Sequence, residues 1–208
     1  MNQKNSFGLD ICFKDLYNPI ELFKEWFEEA KRSEPKEPNA LSLATSDKKG
    51  IPSVRIVLLK DYSENGFVFY TNLNSLKSKA IIDNPIASMC FYWNSLDRQI
   101  RVTGKITKVS DEEADKYFFS RPYGSKIGAW GSNQSSVLNS RKELLQSFEN
   151  YKIKYSNQKI VPRPKHWSGW NLNPSEIEFW LKNENRIHER LRYIKEKSGN
   201  WNKSLLSP

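Results

Sequence analysis

Three groupings of polar side chains have the residue types and spacing to do chemistry. Tyr117, Arg121 and Ser125 fall four residues apart, the spacing of one helical face. Pro122 interrupts that face: it biases Arg121 away from helical torsions and can itself open a new turn, leaving free amides near Arg121 and Ser125. A tyrosine, an arginine, a serine and a helix start converging in this way suit a phosphate monoester. An ordinary helix break carrying a surface arginine has the same spacing. Arg186, His188 and Arg190 alternate and would share one strand face just after a tight turn. Such neighbours repel one another unless an anion or a carboxylate lies between them, which points to a ligand-facing role. Arg55 and Lys60 bracket the run RIVLLK; on one strand they face opposite ways, so they serve different ends of a site or are solvated edge charges. The other histidine, His166, has no partner pattern and reads as structural.

The elements that must position these groups are legible from period and punctuation. Asn18-Pro19 followed by Ile20, Phe23, Trp26, Phe27 and Ala30 predicts a capped amphipathic helix ending in the polar run 32–39. ALSLAT, SVRIVLLK and FVFYT, separated by short glycine-containing turns, predict three strands in an antiparallel meander. A short helix over 75–83 and a strand over 86–93 follow. Beyond them, Gln99, Arg101, Thr103 and Lys105 alternate with Ile100, Val102 and Ile106, a strand with one wet or ligand-facing side. Ser110 and Glu113 form a capping box for a helix through Phe119, and a further helix spans about 138–155. GWNL, IEFWL and RIHERLRYI read as strands, with a last short run from Trp201. Many short strands with interposed helices fit a mostly β, α+β architecture, a β-barrel with helical decoration.

Composition narrows the function classes. In 208 residues, 33 Lys+Arg against 24 Asp+Glu leave a net charge of +9, so an anionic partner is expected. Mean hydropathy is −0.73, and no stretch approaches the roughly 20 apolar residues of a membrane span. Seven Trp, nine Tyr and eleven Phe argue against disorder. Cys12 and Cys90 lie far apart and in no metal-ligand spacing, so neither a disulfide framework nor a metal site is expected. No export or organelle signal is visible, which makes the cytoplasm the expected location. Neither GxxxxGK[ST] nor a dinucleotide fingerprint occurs. The cations are spread along the chain without an RNA-binding signature, so nucleic acid is not an expected partner.

Several segments in order resemble the pyridoxine (pyridoxamine) 5′-phosphate oxidase family, flavoproteins of vitamin B6 metabolism. They are RIVLLK at 55–60, FYTN with Ser75 and Lys77, RQ at 98–99 with Gly104, KYFFSRP at 116–122, SKIGAW at 125–130, QSS at 134–136, EFW at 178–180 and RIHER at 186–190. The resemblance implies a split β-barrel homodimer with FMN at the subunit interface. Residues 1–39 would form an N-terminal arm and helix, and 40–208 the FMN-binding domain with its C-terminal dimerisation region, one domain overall.

Carried over by position, the FMN contacts are Arg55, Ile56, Val57, Leu58, Leu59, Lys60, Tyr70, Thr71, Lys77, Gln99, Gln134, Ser135, Trp180 and Arg190. Substrate contacts are Lys60, Tyr117, Arg121 and Ser125 around the phosphate, with Arg186 and His188 at the reacting end as the catalytic pair. The implied reaction oxidises pyridoxamine 5′-phosphate or pyridoxine 5′-phosphate to pyridoxal 5′-phosphate. Dioxygen is the acceptor, hydrogen peroxide a product, and the amine also yields ammonia. A flavin reductase or a non-catalytic FMN or pyridoxal-phosphate binder on the same fold is the alternative. The chain departs from the family pattern in three places. Leu76 stands where an arginine is usual, Leu205-Leu206 replaces an Arg-Leu pair, and the short N-terminal arm lacks the Arg and Tyr that fold over substrate in relatives.

Overall fold

The computed structural model describes residues 3–208. Helix α1 (Pro19–Ser33) starts where expected: the Asn18 side chain accepts a hydrogen bond from the Ile20 amide, and Pro19 occupies the first turn. Its apolar face enters the main core. Phe23 packs against Phe27, Tyr62, Phe67, Phe91 and Trp93, while Trp26 meets Phe13 and Phe179. Each such side chain contributes about 1.5–3 kcal/mol by leaving water, so α1 is an integral wall of the fold.

Strands β1 (Ala40–Ser46) and β2 (Pro52–Leu58) form a hairpin. Its turn is tied by the Asp47 carboxylate, which accepts from the Lys49 and Ile51 amides, and by Gly50 at φ +79°. The chain then breaks direction, and β3 (Asp61–Ser63) pairs with β4 (Gly66–Asn72). The expected three-strand meander is therefore not formed: β4 pairs with β3 and with β7, never with β2. Helix α2 (Leu76–Asp83), capped by Ser75, leads to β5 (Ile86–Trp93) and β6 (Arg98–Lys108). Three helices follow: α3 (Asp111–Ser120), α4 (Tyr123–Gly131) and α5 (Arg141–Tyr155). The two segments GWNL and IEFWL belong to one long strand, β7 (Trp167–Leu181), and β8 (Glu189–Lys195) and β9 (Trp201–Leu205) complete the sheet.

The nine strands run β2-β1-β5-β6-β7-β4-β3, with β8 on β7 and β9 on β8. β7 pairs with β6 along its length, with β4 through its first half and with β8 through its second, so the antiparallel sheet divides and curls into a split barrel. The bend lies at a register shift between Thr103 and Gly104, where a Cβ on Gly104 would fall 2.0 Å from the Asn173 carbonyl oxygen. Alternation on β6 holds as read: Ile100, Val102 and Ile106 are buried, while Arg101 and Lys105 are exposed. Among the described residues no helix is long and apolar enough to cross a membrane, and no cluster of His, Cys, Asp or Glu could hold a metal.

Candidate active site

A cavity of about 440 Å³ opens where the end of β2, the middle of β4, α2 and the α3–α4 junction meet. Its lining includes Ile56, Val57, Leu58, Lys60, Tyr70, Thr71, Lys77, Tyr117, Arg121, Ser125 and Gln134, all expected from sequence, together with Pro122 and Trp167. Three of these side chains are cations and none is a carboxylate.

Local sequence explains the placement. Ser110 caps α3 by accepting from the Glu113 amide, and α3 stops at Ser120 because Pro122 holds Arg121 in an extended conformation (φ −73°, ψ 150°). Pro122 sits at the N-cap of α4, one position before the first turn expected for it. The two helices thus meet at Arg121, with Ser125 in the first turn of α4. The Arg121 guanidinium lies 4.7 Å from the Trp167 ring centroid and 5.6 Å from that of Phe118. Its Nη1 is buried without a hydrogen-bond partner, and burial pulls its pKa below the ordinary guanidinium value. Tyr70, Tyr117 and Trp167 stack as near-parallel rings, with Tyr70 and Tyr117 4.1 Å apart, and Lys60 Nζ lies 6.0 Å from the Tyr117 centroid.

Lys77 is the second cation without an acidic partner. Its Nζ donates to Gln134 Oε1 (2.8 Å), Thr71 Oγ1 (3.1 Å) and Ser75 Oγ (3.3 Å), all neutral acceptors. Burial, reinforced by repulsion from Arg55, pulls its pKa down to about 8. Arg55 is outside the cavity lining and donates to the Leu43 carbonyl, Thr45 Oγ1 and Ser53 Oγ. Leu59 is a core side chain, and Ser135, at φ +70°, accepts from the Leu76 amide at the start of α2. Leu76 itself is exposed. Because the strand ends at Leu58, the opposite-face argument for Arg55 and Lys60 does not apply.

The remaining expected residues form a second group that does not line this cavity. Gln99, Trp180 and Arg190 lie in register across β6, β7 and β8. Arg190 is paired: its Nε donates to Glu178 Oε1 (2.8 Å), and Arg101 binds the other oxygen of the same buried carboxylate. Burial pushes the Glu178 pKa up, but the hydrogen bonds from Arg190 and Arg101 outweigh it and hold the carboxyl below its usual range. Arg186, His188 and Arg190 do not share a strand face as expected, because β8 begins only at Glu189. Arg186 is exposed in a tight turn at φ +61°, and His188 lies with its ring centroid 4.7 Å from that of Trp180. His166 binds the Ala129 carbonyl through Nε2 (2.9 Å), consistent with a structural role. Trp167 and Pro122 were missed as lining residues; Pro122 carried a signal in its position beside Arg121, whereas Trp167 carried none.

Comparison with known proteins completes the assignment. Residues 27–155 match the family model described as pyridoxamine 5′-phosphate oxidase, and residues 167–208 match that of the pyridoxine 5′-phosphate oxidase C-terminal dimerisation region. The chain is 62% identical to a pyridoxine/pyridoxamine 5′-phosphate oxidase of Pelagibacter ubique over 100% of both chains. PhzG from Burkholderia lata, solved with tetrahydrophenazine-1-carboxylic acid, superposes with a TM-score of 0.88 at 29% identity, covering 95% of this chain and 96% of PhzG. A pyridoxamine 5′-phosphate oxidase-related, FMN binding protein of Nostoc punctiforme shares the fold at a TM-score of 0.74 and 18% identity, over 93% of this chain and 99% of its own. The chain belongs to the pyridoxine/pyridoxamine 5′-phosphate oxidase family of oxidoreductases.

Proposed function

We propose that the protein is an FMN-dependent oxidase that converts pyridoxamine 5′-phosphate and pyridoxine 5′-phosphate to pyridoxal 5′-phosphate. The observation that carries this reading is the cationic cavity without a carboxylate, in which Arg121 keeps a buried, unpartnered Nη1 and Lys77 meets only neutral oxygens. Half-buried charges without acidic partners suit anionic ligands that satisfy them. A phosphate monoester carries about −1.5 to −2 charge, and the reaction needs two such groups, one on the flavin and one on the substrate.

The donors fit the cofactor. Lys77, Thr71, Gln134 and Ser135, with Arg55 behind them, would hold the FMN phosphate and ribityl chain. Lys60, Tyr117, Arg121 and Ser125 would anchor the substrate phosphate. When bound, FMN supplies the two-electron acceptor that dioxygen regenerates, with hydrogen peroxide as product. The protein supplies placement: Arg186 holds and polarises the substrate at its reacting end, and His188 orients the ring or moves a proton. The amine substrate leaves ammonia after hydrolysis of the oxidised product.

The two residue groups lie apart within one chain, and the matched dimerisation region supports a homodimer in which Gln99, Trp180, Arg186, His188 and Arg190 of one copy complete the cavity of the other. The exposed apolar side chains of Val54 and Ile56 on edge strand β2 suit the same assembly.

The test is discrimination at the phosphate. FMN-loaded protein given pyridoxamine 5′-phosphate in air is expected to produce pyridoxal 5′-phosphate and peroxide, with pyridoxamine lacking the phosphate turned over far more slowly. Bound flavin without turnover of either compound would replace the oxidase by a non-catalytic binder. Equal turnover of both would detach Arg121 and Lys60 from the substrate.

A further inference from the structure

The turn that carries Arg186 and His188 is not held by its own backbone preferences. Asn185 and Arg186 are consecutive non-glycine residues at φ +54° and +61°, a conformation that costs about 1–3 kcal/mol per residue and persists only where the surroundings impose it. Three groups of Asn183 supply part of that constraint. Its side-chain oxygen accepts from the Glu184 amide (2.8 Å), its backbone amide donates to His188 Nδ1 (3.2 Å), and its Nδ2 donates to Glu189 Oε1 (3.3 Å).

Glu189 links this turn to the other end of the chain. It is a buried carboxylate at the first position of β8, and besides Asn183 it binds Lys4 Nζ through Oε1 and the Asp10 amide through Oε2. Lys4 and Asp10 themselves form a bridge pair, and Asn5 closes the loop between them by accepting from the Phe7 and Leu9 amides. One carboxylate therefore joins the N-terminal segment, the 183–188 turn and the start of β8. The hydrogen bond from Asn183 has a chemical consequence for His188. An Nδ1 that accepts cannot carry the proton of the neutral ring, so the proton sits on Nε2, which is left as a donor.

We propose that Glu189 is a positioning residue: through Asn183 it fixes His188 as the Nε2–H tautomer and sets the Arg186 turn, with the N-terminal segment as the other jaw of the clamp. Its relevance to turnover rests on the reading above that Arg186 and His188 face the substrate; the clamp itself does not. The N-terminal segment thus acts on Arg186 and His188 through Glu189.

The test combines 15N-histidine NMR of the FMN-loaded protein with steady-state kinetics. The native protein is expected to show His188 as the Nε2–H tautomer. Glu189→Ala is expected to give mixed tautomers and to lower kcat/KM by about tenfold or more at unchanged flavin content, the scale on which a small misplacement acts. Glu189→Gln, which keeps an acceptor, is expected to recover part of the loss. Lys4→Ala, at a half-exposed side chain, should move both readouts in the same direction by less, and it decides the matter if Glu189→Ala does not fold. An unchanged tautomer and an unchanged kcat/KM in the folded variants would overturn the proposal. A tautomer that shifts in Glu189→Ala, while His188→Ala leaves turnover intact, would uphold the clamp and refute the catalytic reading instead.

Discussion

Replacing Arg121 by alanine removes a guanidinium that lies 4.7 Å from the Trp167 ring centroid and whose Nη1 is buried without a partner in the native protein. Two opposing consequences for stability follow. The lost cation–π contact costs about 0.5–2 kcal/mol. Relief of the unsatisfied buried donor returns about 1–3 kcal/mol. The sum is near zero, so Tm should move by less than about 4 °C in a chain of this size. Binding has no such cancellation. A charge-assisted hydrogen bond to the substrate phosphate is worth about 1.5–3 kcal/mol, and about 1.4 kcal/mol is a factor of ten, so KM for pyridoxamine 5′-phosphate should rise roughly ten- to 150-fold. Turnover at saturation should change far less, because the proposed function places the group at the phosphate and not at the reacting carbon. The assay is initial-rate formation of pyridoxal 5′-phosphate on FMN-saturated variant, with phosphate-free pyridoxamine as control. A KM unchanged from the native protein, or an equal loss for both compounds, would refute the assignment.

Lys77, whose pKa is pulled down to about 8, should make flavin affinity depend on pH. The charged form predominates below about pH 8 and is lost above it, so FMN should bind more weakly at pH 9.5 than at pH 7 in a fluorescence-quenching titration, and Lys77→Met should flatten that difference. Because burial lowers the folded pKa below the unfolded one, the same residue makes the cofactor-free protein gain stability between the two values as pH rises, which chemical denaturation across pH 7–10 can read. Glu178→Ala removes the carboxylate shared by Arg101 and Arg190, both of which stay partly exposed to water, and should cost about 1.5–3 kcal/mol by urea unfolding. In the native protein the Glu178 contribution is present above the unfolded carboxyl pKa and is lost as pH falls through the lower folded one. Gly104→Ala places a methyl group 2.0 Å from the Asn173 carbonyl oxygen and should abolish soluble folded protein, measured by expression and circular dichroism.

The elements were legible wherever one period ran without interruption. The α1 stripe, the β6 alternation and the caps at Asn18 and Ser110 all stand as read. What failed was pairing at a distance. FVFYT looks the same in sequence whether it joins β2 or β7, and only the closure of the split barrel chooses β7. The Arg186, His188 and Arg190 alternation misled because period-two spacing persists through a turn whose left-handed residues carry no glycine to mark it. The Tyr117, Arg121 and Ser125 grouping was legible because Pro122 fixes a helix break locally, so no long-range contact was needed to bring those residues together. Trp167 could not be found by the same route, since its place beside Arg121 comes from the pairing of β7 with β4.

The central claim is that this chain oxidises a phosphorylated pyridoxine or pyridoxamine by passing two electrons to bound FMN. The most direct measurement mixes FMN-loaded protein with excess pyridoxamine 5′-phosphate under argon and records the visible spectrum. The account expects the flavin band to bleach with one pyridoxal 5′-phosphate formed per flavin, and to return on admission of air with one equivalent of peroxide. A flavin band that stays unchanged while the substrate is shown to bind would contradict it.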